Sequence, residues 1–244
     1  MPRHRHTVDA ILKALGPDED APTPEKVRGQ WSRFYPEQWR KRWLTAQDDS
    51  PTLPAFLSTR ERQLSVSRDE LFDLGQQINS EDDAVAFYVA VCAWGTGPSA
   101  LDTSRRVEAL MQPDAPQRLY EGLTQVDLTE PVDGYRAFNA VAVSKIKGLG
   151  PAYFTKLLHF RAGRPDTSGK QYPLILDSRV AKALGWSKST AWTSSEYSMY
   201  LDLIDAVHQR WRPDLPADIV EYQLFMSVGT KKPPSITDPK IYGN

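Results

Sequence analysis

Two short stretches of this chain carry residue types at spacings that can do chemistry. The first is Val143-Ser144-Lys145-Ile146-Lys147-Gly148-Leu149-Gly150-Pro151-Ala152-Tyr153-Phe154-Thr155-Lys156. Two glycines one residue apart separate two helical patterns. Glycine permits a positive φ and lets another backbone come close. Pro151 suits the first position of the next helix, where its missing N–H costs nothing. The expected product is a tight hairpin with backbone N–H groups free at a helix N-terminus, where the dipole favours phosphate oxygens. Lys145, Lys147 and Lys156 add local positive charge. Such contacts fix a nucleic-acid backbone without reading its sequence. An ordinary αα-hairpin with glycine in the turn fits Gly-x-Gly equally well. The flanking lysines and a carboxylate downstream favour the phosphate reading.

That carboxylate, Asp177, follows the apolar run Pro173-Leu174-Ile175-Leu176 and precedes Ser178-Arg179-Val180-Ala181-Lys182-Ala183-Leu184. Aspartate is a common helix N-cap, which is a purely structural role. A carboxylate at a helix start beside a bound backbone can also activate water. Equally, it can stabilise a sugar cation as a glycosidic bond breaks.

Helices must position both stretches. Patterning predicts helices over 133–146 and 151–160 on either side of the hairpin, and a polar loop over 162–171. A helix from Asp177 to Leu184 follows, then one capped by Ser194 or Ser195 and running to Trp211, then one over 217–228. Upstream, Ser80 caps an apolar helix from Ala84 to Trp94 that stops at Gly95-Thr96-Gly97-Pro98, and another helix spans 99–111. Residues 36–46 carry Trp39, Trp43 and Leu44 at helical spacing, with Arg40, Lys41 and Arg42 on a solvated face. Residues 16–27 and 47–60 read as connections. There is no internal repeat and no sustained alternation of period two, so the chain is expected to be all-α. Residues 1–65 are expected to be a partly helical N-terminal extension and 66–244 the main domain.

Composition bounds the rest. A chain of 244 residues, 40% hydrophobic and 25% charged, buries a core without staples. The single cysteine, Cys92, rules out intramolecular disulfides and a four-cysteine cluster. It sits in an apolar run, as a small buried hydrophobe does. A net charge of −1 excludes a protein coated with positive charge, but not one with a local basic face. Arg3, His4, Arg5 and His6 read as a solvated end with no apolar segment behind them, unlike a signal peptide. No stretch approaches the ~18 apolar residues of a membrane span. A cytoplasmic protein is the expectation from these features.

Leu149-Gly150-Pro151, together with Pro173-Leu174-Ile175-Leu176-Asp177-Ser178-Arg179-Val180, resembles the helix-hairpin-helix DNA glycosylase superfamily. Ala93-Trp94-Gly95-Thr96-Gly97-Pro98 and Val220-Glu221-Tyr222-Gln223-Leu224-Phe225 are similar to a bacterial subgroup labelled 8-oxoguanine glycosylase-like. The resemblance covers roughly residues 70–230. It implies a two-lobed all-α fold gripping double-stranded DNA through Lys145, Lys147, Gly148, Leu149, Gly150, Ala152 and Lys156. A target nucleotide would be flipped into a cleft between the lobes, with Asp177 as the catalytic carboxylate. Some members place an attacking lysine two residues beyond the second hairpin glycine. That position is Ala152 here, so water is the expected nucleophile and the enzyme is expected to be monofunctional. Lys156, one turn further along, substitutes only if the loop geometry differs.

Phe154 stands where a small residue usually packs the two hairpin helices. Trp94, Tyr153, Tyr222 and Phe225 are candidates to stack on a base, although aromatic residues more often build cores. The resemblance implies a bacterial origin, a monomer, no organic cofactor and no resident metal, although it admits a monovalent cation on hairpin carbonyls. The base is either 8-oxoguanine-type or a bulky modified cytosine of phage DNA, whose removal would serve defence. The competing class is a non-catalytic helix-hairpin-helix DNA-binding module, and Asp177 discriminates between the two. A third reading is a helical protein-interaction domain with no DNA role.

Overall fold

A computed structural model of the chain describes residues 7–44, 50–125, 130–139, 144–229 and 241. The basic end Arg3–His6 lies outside them. In chain order the elements are α1 (Val8–Leu15), α2 (Pro24–Arg28), β1 (Trp31–Phe34), α3 (Pro36–Trp43), β2 (Leu64–Ser67), α4 (Arg68–Gln76) and α5 (Glu81–Thr96). There follow α6 (Ala100–Leu110), α7 (Ala115–Thr124), α8 (Pro131–Asn139), α9 (Pro151–Arg161), α10 (Ser178–Ala183), α11 (Ser194–Trp211) and α12 (Asp218–Ser227). The fold is helical, as expected, with one correction. β1 and β2 pair antiparallel, Trp31 opposite Ser67 and Phe34 opposite Leu64. Each strand has four residues, and the first three of β2 are all buried. No alternation exists for sequence patterning to detect.

α5 is the axis of the first half of the molecule. From Ala84 to Trp94 every residue except Ala86 is buried, as a helix apolar on all sides must be. It packs on α7, α6, α9, α4 and the sheet. α8, α10, α11 and α12 form the second half, joined by α1. α9 lies at the seam and packs on α4, α5, α7 and α8. Helix starts follow their chemistry. Ser80 caps α5, as expected. The cap of α11 is Thr193 rather than Ser194 or Ser195, because Glu196 at the third helical position closes a capping box with it.

The segment expected to be an extension shares the core. The sheet joins residues on both sides of position 65, Trp39 is fully buried and α3 packs on α6. Within 16–27, expected as a linker, a 3-10 turn over Asp18–Asp20 precedes α2, which is capped by Thr23. These helical pieces are too short for a periodic signal. Arg40 donates to the Leu57 and Thr59 carbonyls and Lys41 pairs with Glu37, so these two cations of α3 are occupied within the protein.

The sheet edge and α12 meet at a buried ion pair. Arg68 Nη1 and Nη2 donate to Glu221 at 2.9 and 3.3 Å, and Arg68 Nε donates to Gln30 Oε1 at 2.7 Å. Trp94 and Tyr222 stand 5.3 and 5.8 Å from the guanidinium. Removing one partner of a buried pair leaves an uncompensated charge. Glu221→Gln is therefore expected to lower stability by about 3–5 kcal/mol, read as a fall in the urea midpoint. A loss below about 1 kcal/mol would show that water reaches Arg68 once the pair is broken.

Candidate functional site

The hairpin forms where the sequence places it. Leu149 N–H donates to the Ile146 carbonyl at 3.1 Å across a turn. Gly148 has φ +86°, a conformation that favours glycine. Gly150 differs from Gly148: its φ of −89° and ψ of 172° are ordinary extended backbone, and it serves as the N-cap of α9. Pro151 opens α9, as expected. Lys145, Lys147 and Gly148 are exposed, Leu149 is buried beneath them, and Gly150 and Ala152 are half-buried. The helix expected over 133–146 does not reach its expected end: α8 is described over Pro131–Asn139. Residues 140–143 lie outside the described set, and Ser144–Ile146 is non-helical. Phe154 fills a layer against Tyr135 and Phe138 of α8, with ring centroids at 4.9 and 5.9 Å. A large residue therefore packs where a small one was the usual expectation.

Three hairpin carbonyls are held from below. Arg106 of α6 donates to Gly148 O at 3.0 Å, Gln112 to Lys147 O at 2.7 Å, and Arg118 of α7 to Lys145 O at 3.2 Å. A monovalent cation on these carbonyls does not fit, because two guanidinium groups already stand there and like charges repel.

Asp177 caps α10 and does more. Its Oδ1 accepts the N–H groups of Arg179 and Val180 at 3.0 and 3.1 Å. Its Oδ2 accepts from Lys156 Nζ at 3.0 Å. Burial pushes this carboxyl upward. The Lys156 charge and the Val180 and Arg179 donors outweigh that and hold it below the usual carboxylate range. Both side chains are nearly buried, Lys156 at 5% and Asp177 at 9% exposure.

Lys156 reaches Asp177 because helical side chains lean toward the N-terminus of their helix. Its amine runs back one turn and donates to the Ala152 carbonyl at 2.7 Å. The amine thus lies at the turn where the sequence shows Ala152. Gly95 makes room for this: a Cβ there would meet Tyr153 Cε1 at 3.3 Å and Lys156 Cδ at 3.5 Å.

Among the described residues the strand-like run before Asp177 belongs to no sheet, so side chains must satisfy its backbone. Thr155 of α9 binds the Leu176 N–H at 3.2 Å, and His159 Nδ1 meets the Pro173 carbonyl at 2.8 Å. From α11, Tyr197 and Tyr200 donate to the Leu174 and Ile175 carbonyls at 2.9 and 2.7 Å. These four residues fix where Asp177 stands. None carried a signal in the sequence, because each looks like an ordinary core residue at helical spacing.

The aromatic candidates separate. Tyr153 is half-buried, with Lys156 Nζ 5.8 Å and the Arg106 guanidinium 4.1 Å from its ring. Phe225 is half-buried under Arg179, 3.9 Å away. Trp94 and Tyr222 instead lie in the buried layer around Arg68, and Trp94 packs edge-on against Phe160 at 5.5 Å. Beside α10, a groove lined by Arg179, Lys182, Trp186 and Val228 opens to solvent.

With this geometry in view, the chain belongs to a family of DNA glycosylase-like proteins. The family model described as "Putative 8-oxoguanine DNA glycosylase OGG-like protein" matches residues 25–225. The match begins well before residue 66, and the shared sheet is consistent with that start. Comparisons with curated proteins and with solved structures returned no match. Among the described residues no helix is long and apolar enough to cross a membrane.

His159 gives the site a pH signature. Burial and the Arg68 charge push its pKa from 6.5 down to about 3. Between those values the unfolded chain binds a proton that the folded chain does not, so stability falls as pH drops below about 6.5. The urea midpoint is expected to decline from pH 7 to pH 4, and less steeply in His159→Gln. Equal slopes in the two proteins would assign the loss to other groups.

Proposed function

We propose that this protein is a DNA glycosylase that breaks the N-glycosidic bond of a flipped-out damaged or modified base. The observation that carries the reading is the Lys156–Asp177 pair, 3.0 Å apart, with Lys156 on the helix that the hairpin opens and Asp177 at the start of α10. Phosphate grip and amine then share one helix, and the carboxylate is tied to that helix through Lys156. Exposed Lys145 and Lys147 and the hairpin N–H groups hold the DNA backbone. The nucleotide turns out of the stack toward Asp177, with Tyr153 bordering the base. Asp177 stays ionised through the neutral range, and its carboxylate stabilises the positive charge that grows on the sugar as the base departs.

Ala152 alone points to water as the nucleophile. The position of Lys156 favours its amine as a second reading. The Lys156 nitrogen forms a bond to C1′ as the bond to the base breaks, and the proton it gives up balances the one the base gains. Opening of the sugar ring then leaves a Schiff base that borohydride reduces to a stable adduct. Water as nucleophile leaves a free abasic site and no adduct.

The family description names 8-oxoguanine, which makes a duplex carrying that lesion the first substrate. Phage DNA with bulky modified cytosines is the second, and release from it would support a defence role. Free bases released from both would be measured by mass spectrometry for wild type, Asp177→Asn and Lys156→Gln. Asp177→Asn is expected to slow release by about 10²–10⁴-fold while DNA binding persists. A borohydride adduct present in wild type and absent in Lys156→Gln supports the amine; release without an adduct supports water. Release of nothing by wild type would leave a DNA-binding module and withdraw the role of Asp177.

A further inference from the structure

We infer that Arg106 is a positioning residue that couples the phosphate-binding hairpin to the Lys156–Asp177 centre; the chemical half of this inference rests on the glycosylase reading. Arg106 is 8% exposed, and among the described residues it has no carboxylate partner. Its Nε is buried with no hydrogen bond at all. A guanidinium buried without a counter-ion is costly, so what it touches matters. Two of its contacts carry the argument. Nη1 donates to the carbonyl of Gly148 at 3.0 Å, the one residue of the turn at positive φ. The guanidinium plane lies 4.1 Å from the Tyr153 ring, and that ring is 5.8 Å from Lys156 Nζ.

One side chain therefore contacts both the turn that meets phosphate and the ring that backs the reacting amine. α6 supplies a firm base for it. Gly148 lies against Ala109 of the same helix, where a Cβ on the glycine would meet the Ala109 Cβ at 3.5 Å. The Arg106 carbonyl accepts from Tyr88 of α5 at 2.9 Å. Gln112 and Arg118 also hold hairpin carbonyls; of the three side chains, Arg106 is the one whose guanidinium stands over the Tyr153 ring. A shift of the hairpin under a bound phosphate reaches Lys156 through Arg106 and Tyr153, and through the common helix.

The test compares wild type with Arg106→Gln, Arg106→Lys and, as a control from the same helix, Arg105→Gln. Arg105 is exposed, and among the described residues its ion pair is with Asp102. Three quantities are read on the full chain: thermal midpoint, amide hydrogen exchange at residues 148–150, and single-turnover base release at saturating enzyme. Arg106→Gln is expected to exchange about tenfold faster at the hairpin and to release base at least about tenfold more slowly, because small misplacements of reacting groups are expensive in rate. Arg106→Lys keeps the charge and one donor, and is expected to recover part of both. Arg105→Gln is expected to match wild type in both.

Exchange in Arg106→Gln equal to wild type would overturn the brace. Faster exchange with unchanged release would overturn the coupling. If Arg106→Gln does not fold, Arg106→Lys carries the same comparison. If wild type releases no base from any substrate, the glycosylase reading fails with it, and the exchange measurement still decides whether Arg106 braces the hairpin.

Discussion

The structure depends on keeping an ammonium and a carboxylate together away from water. Lys156 and Asp177 are both nearly buried, and removing two ions from solvent costs several kcal/mol each unless every remaining polar atom finds a partner. Here they do. Asp177 divides its oxygens, one capping α10 and one meeting Lys156, and Lys156 adds the Ala152 carbonyl. The carboxylate is held ionised by these contacts against the push of burial. A charge fixed before any ligand arrives needs no reorganisation when charge develops opposite it, which is what makes such an arrangement useful for chemistry.

Placing Asp177 this way imposes a second requirement. Its preceding run, Leu174 to Leu176, is buried but unpaired to any strand. Two helices supply the missing partners: α9 through Thr155 and His159, α11 through Tyr197 and Tyr200. His159 does this as a neutral imidazole with Nδ1 protonated, since its partner is a carbonyl and burial opposes a second proton. The same α9 begins at the hairpin and carries Lys156, so grip, amine and carboxylate are referred to one helix.

The described part of the first sixty-five residues enters this frame as structure. Gln30 binds Arg68 through both its side chain and its backbone, and its carbonyl also receives the Trp94 indole N–H at 3.3 Å. Trp94 ends the buried run of α5, and the next residue of that helix, Gly95, leaves room for Lys156. The N-terminal strand thus supports, from behind, the wall against which the amine lies. Electrostatically the molecule is nearly neutral at −1. The basic character that the proposed grip on DNA draws on is local, carried by exposed Lys145 and Lys147 at the hairpin.

The sequence by itself determined the elements whose signals are local. Gly148 had to stand in a turn and Pro151 to open a helix, since φ and a missing N–H are properties of single residues. Asp177 had to begin a helix, because a short carboxylate satisfies free N–H groups two and three residues on. The buried helix behind Ser80 was legible for the same reason: its cap and its apolar run are contiguous. Tertiary structure decided whatever joins residues distant in the chain. The sheet was hidden because its strands are short and lack alternation. Arg68, Glu221 and Arg106 gave no sign of burial, since a charge is buried only where a remote partner allows it. The amine at the Ala152 turn comes from Lys156 because a side chain's reach along a helix, and not its position in the sequence, sets where its charge lies.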